Sequence, residues 1–173
     1  LLNCSDILVF ISRSAPSLVD QRALKNKRII VVPNASDPYF FKTNPRRMDN
    51  KTILYAGGYA NSRGVDDLVT AFKALEDRHH EIRLRLVGAN IPSQFAANKV
   101  TVEHDKTYED MPKIHSESFL CVIPHKRNPY MDAALPIKLF DAMASGRPVV
   151  ATDCLEVKQL IEQENCGVIA HDN

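Results

Sequence analysis

The chain has 173 residues, 45% of them hydrophobic and 25% charged, with a formal net charge of +1. These values suit a globular domain. Near-neutrality excludes recruitment of nucleic acid or an anionic membrane by a global field, so an anion site must be local. No apolar run is long enough to span a bilayer. Leu1-Leu2-Asn3 carries no basic leader and no Met, so the expectation is a fragment without a signal peptide. Cys4, Cys121, Cys154 and Cys166 show no C-x-x-C pair and no zinc-ligand spacing. Buried reduced thiols are expected, hence a reducing, cytoplasmic compartment.

Asp6–Ile11 is a β-branched apolar run, read as a buried strand. Ser14 is expected to cap a helix with Pro16 in its first turn, running to about Leu24. Arg28–Val32 is a second strand. Ala35–Met48 lacks a period and is rich in Pro, Asn and Asp, so a linker and a domain boundary are placed there. A second alternation begins at Thr52. Strands are expected at Ile53–Ala56, Ile82–Val87, Val100–Val102, Phe119–Ile123, Pro148–Ala151 and Gly167–Ala170. Helices are expected at Gly64–Arg78, Tyr108–Ser116, Leu135–Ala144 and Leu155–Gln163, with Gly146 ending the third. His79 and His80 are expected in solvent at a helix end. Strand–helix alternation requires crossovers, hence a Rossmann-like parallel α/β sheet with helices on both faces. Ligands bind such sheets at the carboxyl ends of the strands.

Two loops carry the chemistry. Gly57-Gly58-Tyr59-Ala60-Asn61-Ser62-Arg63-Gly64 leaves a strand and opens a helix. Glycines let the backbone approach an anion, the helix start offers N–H groups, and Arg63 adds a charged planar fork. The same residues also suit a tight turn with a solvated arginine. The second loop is His125-Lys126-Arg127-Asn128-Pro129-Tyr130-Met131-Asp132, a local basic cluster, followed by a helix carrying Lys138 and Asp141 on one face. An anion between Lys138 and the helix amides would turn an unfavourable cation position into a favourable one. A surface Lys–Asp pair is the plainer alternative.

The run K-L-F-D-A-M-A-S-G-R-P-V-V-A-T resembles the donor-site signature of retaining GT-B-fold glycosyltransferases, the glycosyl transferases group 1 family. I-I-V-V-P-N-A-S-D-P-Y-F-F, I-L-Y-A-G-G-Y-A-N-S-R-G-V-D-D-L-V-T-A-F, L-R-L-V-G and S-E-S-F-L-C-V-I-P resemble the family's other marks, in order. The resemblance implies two facing Rossmann-like domains, the second of which binds a nucleoside-diphosphate sugar without a metal or other cofactor. It divides the chain into a tail of the acceptor domain (1–33), a linker (34–50) and a donor domain (51–173) truncated at its C-terminus. It implies that Asp141 holds the ribose, that Arg63 and Lys138 meet the diphosphate as the catalytic cations, and that Gly57 and Gly58 form the phosphate-facing turn. Leu135, just ahead of that motif, is counted with the donor-binding residues. His104 to Tyr108 sits where the base is contacted. The chain departs from the pattern at Ala133, where the first acid of the family's E-x7-E would stand, with Asp132 as a substitute. It departs again at Gly58, which replaces an arginine, and at Asp141, which replaces Glu.

The implied activity is glycosyl transfer, inactive in the isolated fragment. Its partners are a nucleotide sugar and the remaining domain of the same protein, which could touch a membrane peripherally. Two alternatives stand beside it: a nucleotide-sugar epimerase or phosphorylase of the same architecture, and a non-catalytic flavodoxin-like module.

Overall fold

The computed structural model describes residues 4–42 and 51–171, so residues 43–50 of the expected linker and the extreme termini lie outside it. Strands β1 (Ile7–Phe10) and β2 (Arg28–Val31) pair in parallel as a two-stranded sheet. The connection between them is not one capped helix. A 3-10 turn at Ala15–Leu18 stops at the extended Val19, and Ser14 makes no capping bond. The short helix α1 (Gln21–Leu24) starts afresh, with the Asp20 carboxylate accepting from the Arg22 N–H.

The main sheet contains β3 (Lys51–Ala56), β4 (Ile82–Val87), β5 (Val100–Glu103), β6 (Leu120–Ile123), β7 (Val149–Thr152) and β8 (Gly167–Ala170). Their order is β5-β4-β3-β6-β7-β8, and every neighbouring pair is parallel. Winding therefore reverses between β3 and β6, in the doubly wound order of dinucleotide-binding sheets. A flavodoxin-like sheet is ordered differently, which removes that alternative.

Side-chain alternation divides the core in two. Leu54, Cys121, Ile123, Val149 and Ala151 pack with α5 (Ile137–Ala144) and α6 (Leu155–Glu164). Tyr55, Leu84, Leu86 and Val122 pack with Val65, Val69 and Phe72 of α2 (Val65–Glu76). Adjacent residues of one strand enter different clusters, so the sheet is apolar on both faces and sandwiched. The expected Tyr108–Ser116 helix is a 3-10 turn, Tyr108–Asp110, leading into α3 (Met111–Ser116). The basic loop after β6 holds a helix that the sequence pattern does not reveal, α4 (Pro129–Ala133). Asn128 caps it by accepting from the Met131 N–H, and Pro129 opens it. Pro136 is the N-cap of α5 rather than a first-turn residue.

The described part of the expected linker is packed, not free. Pro38–Lys42 forms a 3-10 turn whose Phe40 is fully buried, with ring centroids 5.6 Å from Tyr108 and 5.3 Å from His115. Asn34 Nδ2 donates to the Leu135 carbonyl at 2.7 Å. Cys121 and Cys154 are buried free thiols, whereas Cys4 is exposed, because the chain ahead of β1 has no cover. His79 and His80 are exposed as expected.

One glycine joins the two loops at the reversal. Gly64 has φ +62°, and a Cβ there would lie 1.8 Å from the Pro124 carbonyl oxygen. Gly64→Ala is expected to destabilise the chain by about 3 kcal/mol, from left-handed strain plus displacement of Pro124. The melting temperature should fall by roughly 6–12 °C for a chain of this size. Phe40→Ala should cost a similar amount, about 3–5 kcal/mol. An unchanged melting temperature would show that the 34–42 segment is not part of the packed unit.

Candidate functional site

A cavity of about 600 Å³ opens at the carboxyl ends of β3 and β6, within the size range of small-molecule sites. Gly57 and Gly88 floor it after β3 and β4, and His125 enters after β6. Lys138 and Asp141 project from α5, Tyr108 comes from the far wall, and Ile11 and Asn34 close one side.

The cations converge on Gly57, whose φ is +153°. A Cβ built there would lie 2.8 Å from Lys138 Nζ and 3.4 Å from Arg63 Nη1. Only a residue without a side chain leaves that point open. Lys138 Nζ is buried without a hydrogen-bond partner and stands 4.5 Å from the centroid of the Tyr55 ring. Burial, and next the like charge of Arg63, lower its pKa to about 7. Arg63 donates weakly to the Gly58 carbonyl at 3.4 Å, and Tyr55 Oη donates to the same oxygen at 2.8 Å. Burial raises the Tyr55 pKa, so its hydroxyl stays neutral.

Asp141 is 4% exposed. Its Oδ1 accepts from Ser36 Oγ at 2.7 Å and from Tyr108 Oη at 3.3 Å. Burial raises its pKa, and the two hydroxyls oppose that rise. The Lys138–Asp141 surface pair does not form. The two side chains serve different parts of the cavity, one over Tyr55 and the other between Ser36 and Tyr108.

Of the residues singled out in the sequence, Arg63, Lys138, Gly57, Asp141, Leu135 and Tyr108 line this cavity. Three do not. Asp132 points away: it pairs with Arg127 Nε at 3.2 Å and accepts from the Leu155 N–H at 3.0 Å, capping α6. Its carboxylate is thus engaged outside the cavity. His104 is exposed, with Nδ1 3.3 Å from the Gly88 carbonyl oxygen. Gly58 stands behind the cavity and offers its carbonyl to Arg63 and Tyr55.

The basic cluster is also dispersed. Lys126 pairs with Asp67 at 3.1 Å, and Arg127 reaches Asp132 and Asp153. His125 alone turns into the cavity. Tyr55 and Ser36 escaped the sequence reading, whereas of the three basic residues of the second loop His125 lines the cavity. Tyr55 looks like any strand aromatic, and Ser36 reaches its partner across 105 residues. Among the described residues, no group of three His, Cys, Asp or Glu side chains is placed to hold a metal ion. No described helix is long and apolar enough to cross a membrane.

A buried ammonium without a counter-ion costs stability. Lys138→Met is therefore expected to raise the stability of the empty protein at pH 6 by about 1–3 kcal/mol while removing charge from the cavity. Thermal melting checks this. A lower melting temperature would mean that Lys138 is stabilising where it stands.

The glycosyl transferases group 1 family model matches residues 50–173. An uncharacterized glycosyltransferase of Haemophilus influenzae is 25% identical, over 97% of this chain and 48% of its own length. The lipopolysaccharide glucosyltransferase WaaG of Escherichia coli is 27% identical, over 80% of this chain and 37% of its own. Anabaena HepE, solved with UDP-glucose, superposes with a TM-score of 0.78 at 17% identity, covering 99% of this chain and 51% of that one. The chain thus spans between 37% and 51% of the length of these proteins. With its doubly wound sheet and a family match over most of its length, the chain belongs to the glycosyl transferases group 1 family.

Proposed function

We propose that this chain is the C-terminal, donor-binding half of a retaining glycosyltransferase that takes a hexose from a nucleoside diphosphate. On this reading the segment up to residue 33 is the tail of the acceptor domain, residues 34–50 are the crossover, and the chain alone does not turn over. One observation carries it: Arg63 and Lys138 approach the same open point above Gly57, at the reversal of the sheet, and Lys138 Nζ has no partner there. Two cations and backbone amides in a shielded cleft suit a diphosphate, whose charge grows as the sugar departs. Asp141 accepts hydroxyl hydrogen bonds from Ser36 and Tyr108, and ribose hydroxyls would take the same role. The UDP and UDP-glucose complexes of HepE, a fold neighbour, make uridine nucleotides the first probes.

Calorimetry of this chain with UDP, GDP and ADP tests the reading. At least one should bind, and Arg63→Ala and Lys138→Met should each weaken binding by about 10-fold or more, as expected for a charge-assisted contact. Failure of all three diphosphates to bind would end the proposal. In the protein joined to its other domain, Lys138→Ala should raise the donor KM and lower kcat.

Binding should also depend on pH. Lys138 is faced by Tyr55 from β3, Arg63 from the turn before α2 and His125 from the loop after β6. Its ammonium is the form that attracts the anion, and its pKa is lowered to about 7. Affinity should therefore be greatest below pH 7 and fall as pH rises above it. Lys138→Arg, which cannot lose its charge, should bind with little pH dependence over the same range. A wild-type affinity that is flat between pH 6 and 9 would contradict the role given to Lys138.

A further inference from the structure

His125 is the one member of the His125-Lys126-Arg127 run that the ion pairs on the surface do not absorb. It is 4% exposed, lines the cavity, and both ring nitrogens are buried without a partner. Leaving buried polar atoms unsatisfied is costly, and native proteins rarely do so without a functional return. The backbone behind the ring is fixed: Thr152 Oγ1 donates to the His125 carbonyl at 2.5 Å, and Cys154 Sγ approaches it at 3.6 Å. The next residue's N–H donates to the Ser62 carbonyl at 3.0 Å, which ties this loop to the turn that carries Arg63. The imidazole is thus a prepositioned group in the same cavity as Arg63 and Lys138.

We propose that His125 is a third diphosphate-binding residue, donating a ring N–H to an anionic oxygen that Arg63 and Lys138 also hold. This rests on the donor-binding reading above. Burial, and then the charges of Lys138 and Arg63, hold the ring neutral by lowering its pKa to about 3. His125 therefore supplies a directional donor without adding a third positive charge to the empty site. A diphosphate suits the arrangement because its several oxygens can accept from His125 and Lys138 Nζ together. A hydroxyl could accept from both, but it carries no charge to offset the cations of Arg63 and Lys138.

The test uses whichever of UDP, GDP or ADP the wild-type chain binds, together with its glucose conjugate. His125→Phe keeps the ring volume and removes the N–H. His125→Gln restores a donor, and gives a second reading should the phenylalanine variant not fold. His125→Phe should weaken diphosphate and conjugate alike by about 10-fold, and His125→Gln should recover part of the loss. A loss confined to the conjugate would mean that His125 meets the sugar and would overturn the proposal. So would unchanged binding by His125→Phe, or equal losses in both variants, which would indicate a packing role. If the wild-type chain binds no diphosphate at all, the donor-binding reading itself fails first.

Discussion

A cation taken out of water without a counter-ion must be held there by structure that would fold without it. Lys138 Nζ is such a cation, and the doubly wound sheet is the structure that holds it. Apolar residues on both faces of the strands carry the folding energy, so the rim at the β3–β6 reversal can afford unpaired charge. The arrangement is that of a preorganised electrostatic site, in which donors are oriented during folding rather than during binding. On the donor-binding reading proposed above, a diphosphate would offset the charge that the empty site leaves unpaired.

The N-terminal segment is part of this arrangement. Ser36 and Asn34 bond to Asp141 and to the Leu135 carbonyl, Glu156 accepts from the Ser14 N–H at 2.6 Å, and Phe40 fills the gap beside Tyr108. Chain that resembles a tether in sequence instead orients an acid of the cavity. Beyond it, β1 and β2 leave Val9 and Val32 more than half exposed, so this small sheet has an apolar surface without cover among the described residues.

Strands β2, β3, β4 and β6 were legible because each is a short apolar run closed by Pro or Gly. Helix α4 was not legible, since five residues give no period and its Pro129 reads equally well as a turn. Side-chain partners were legible least of all. Lys126 and Arg127 sit beside His125 in sequence, yet their carboxylates come from α2, α4 and the turn after β7. Asp132 could be read as a ligand only because its true partner, the start of α6, lies 23 residues on. Arg63, Lys138, Gly57 and Asp141 share one cavity because the turn after β3 and helix α5 meet at the carboxyl end of the sheet.

The seam between the loops after β3 and β6 has a consequence for how the cleft could move. Gly64 lies flush against Pro124, and Lys126 is bonded to Ser62, so the two jaws of the cleft are fused near their roots. Closing the cleft by moving one loop toward the other would have to break both contacts.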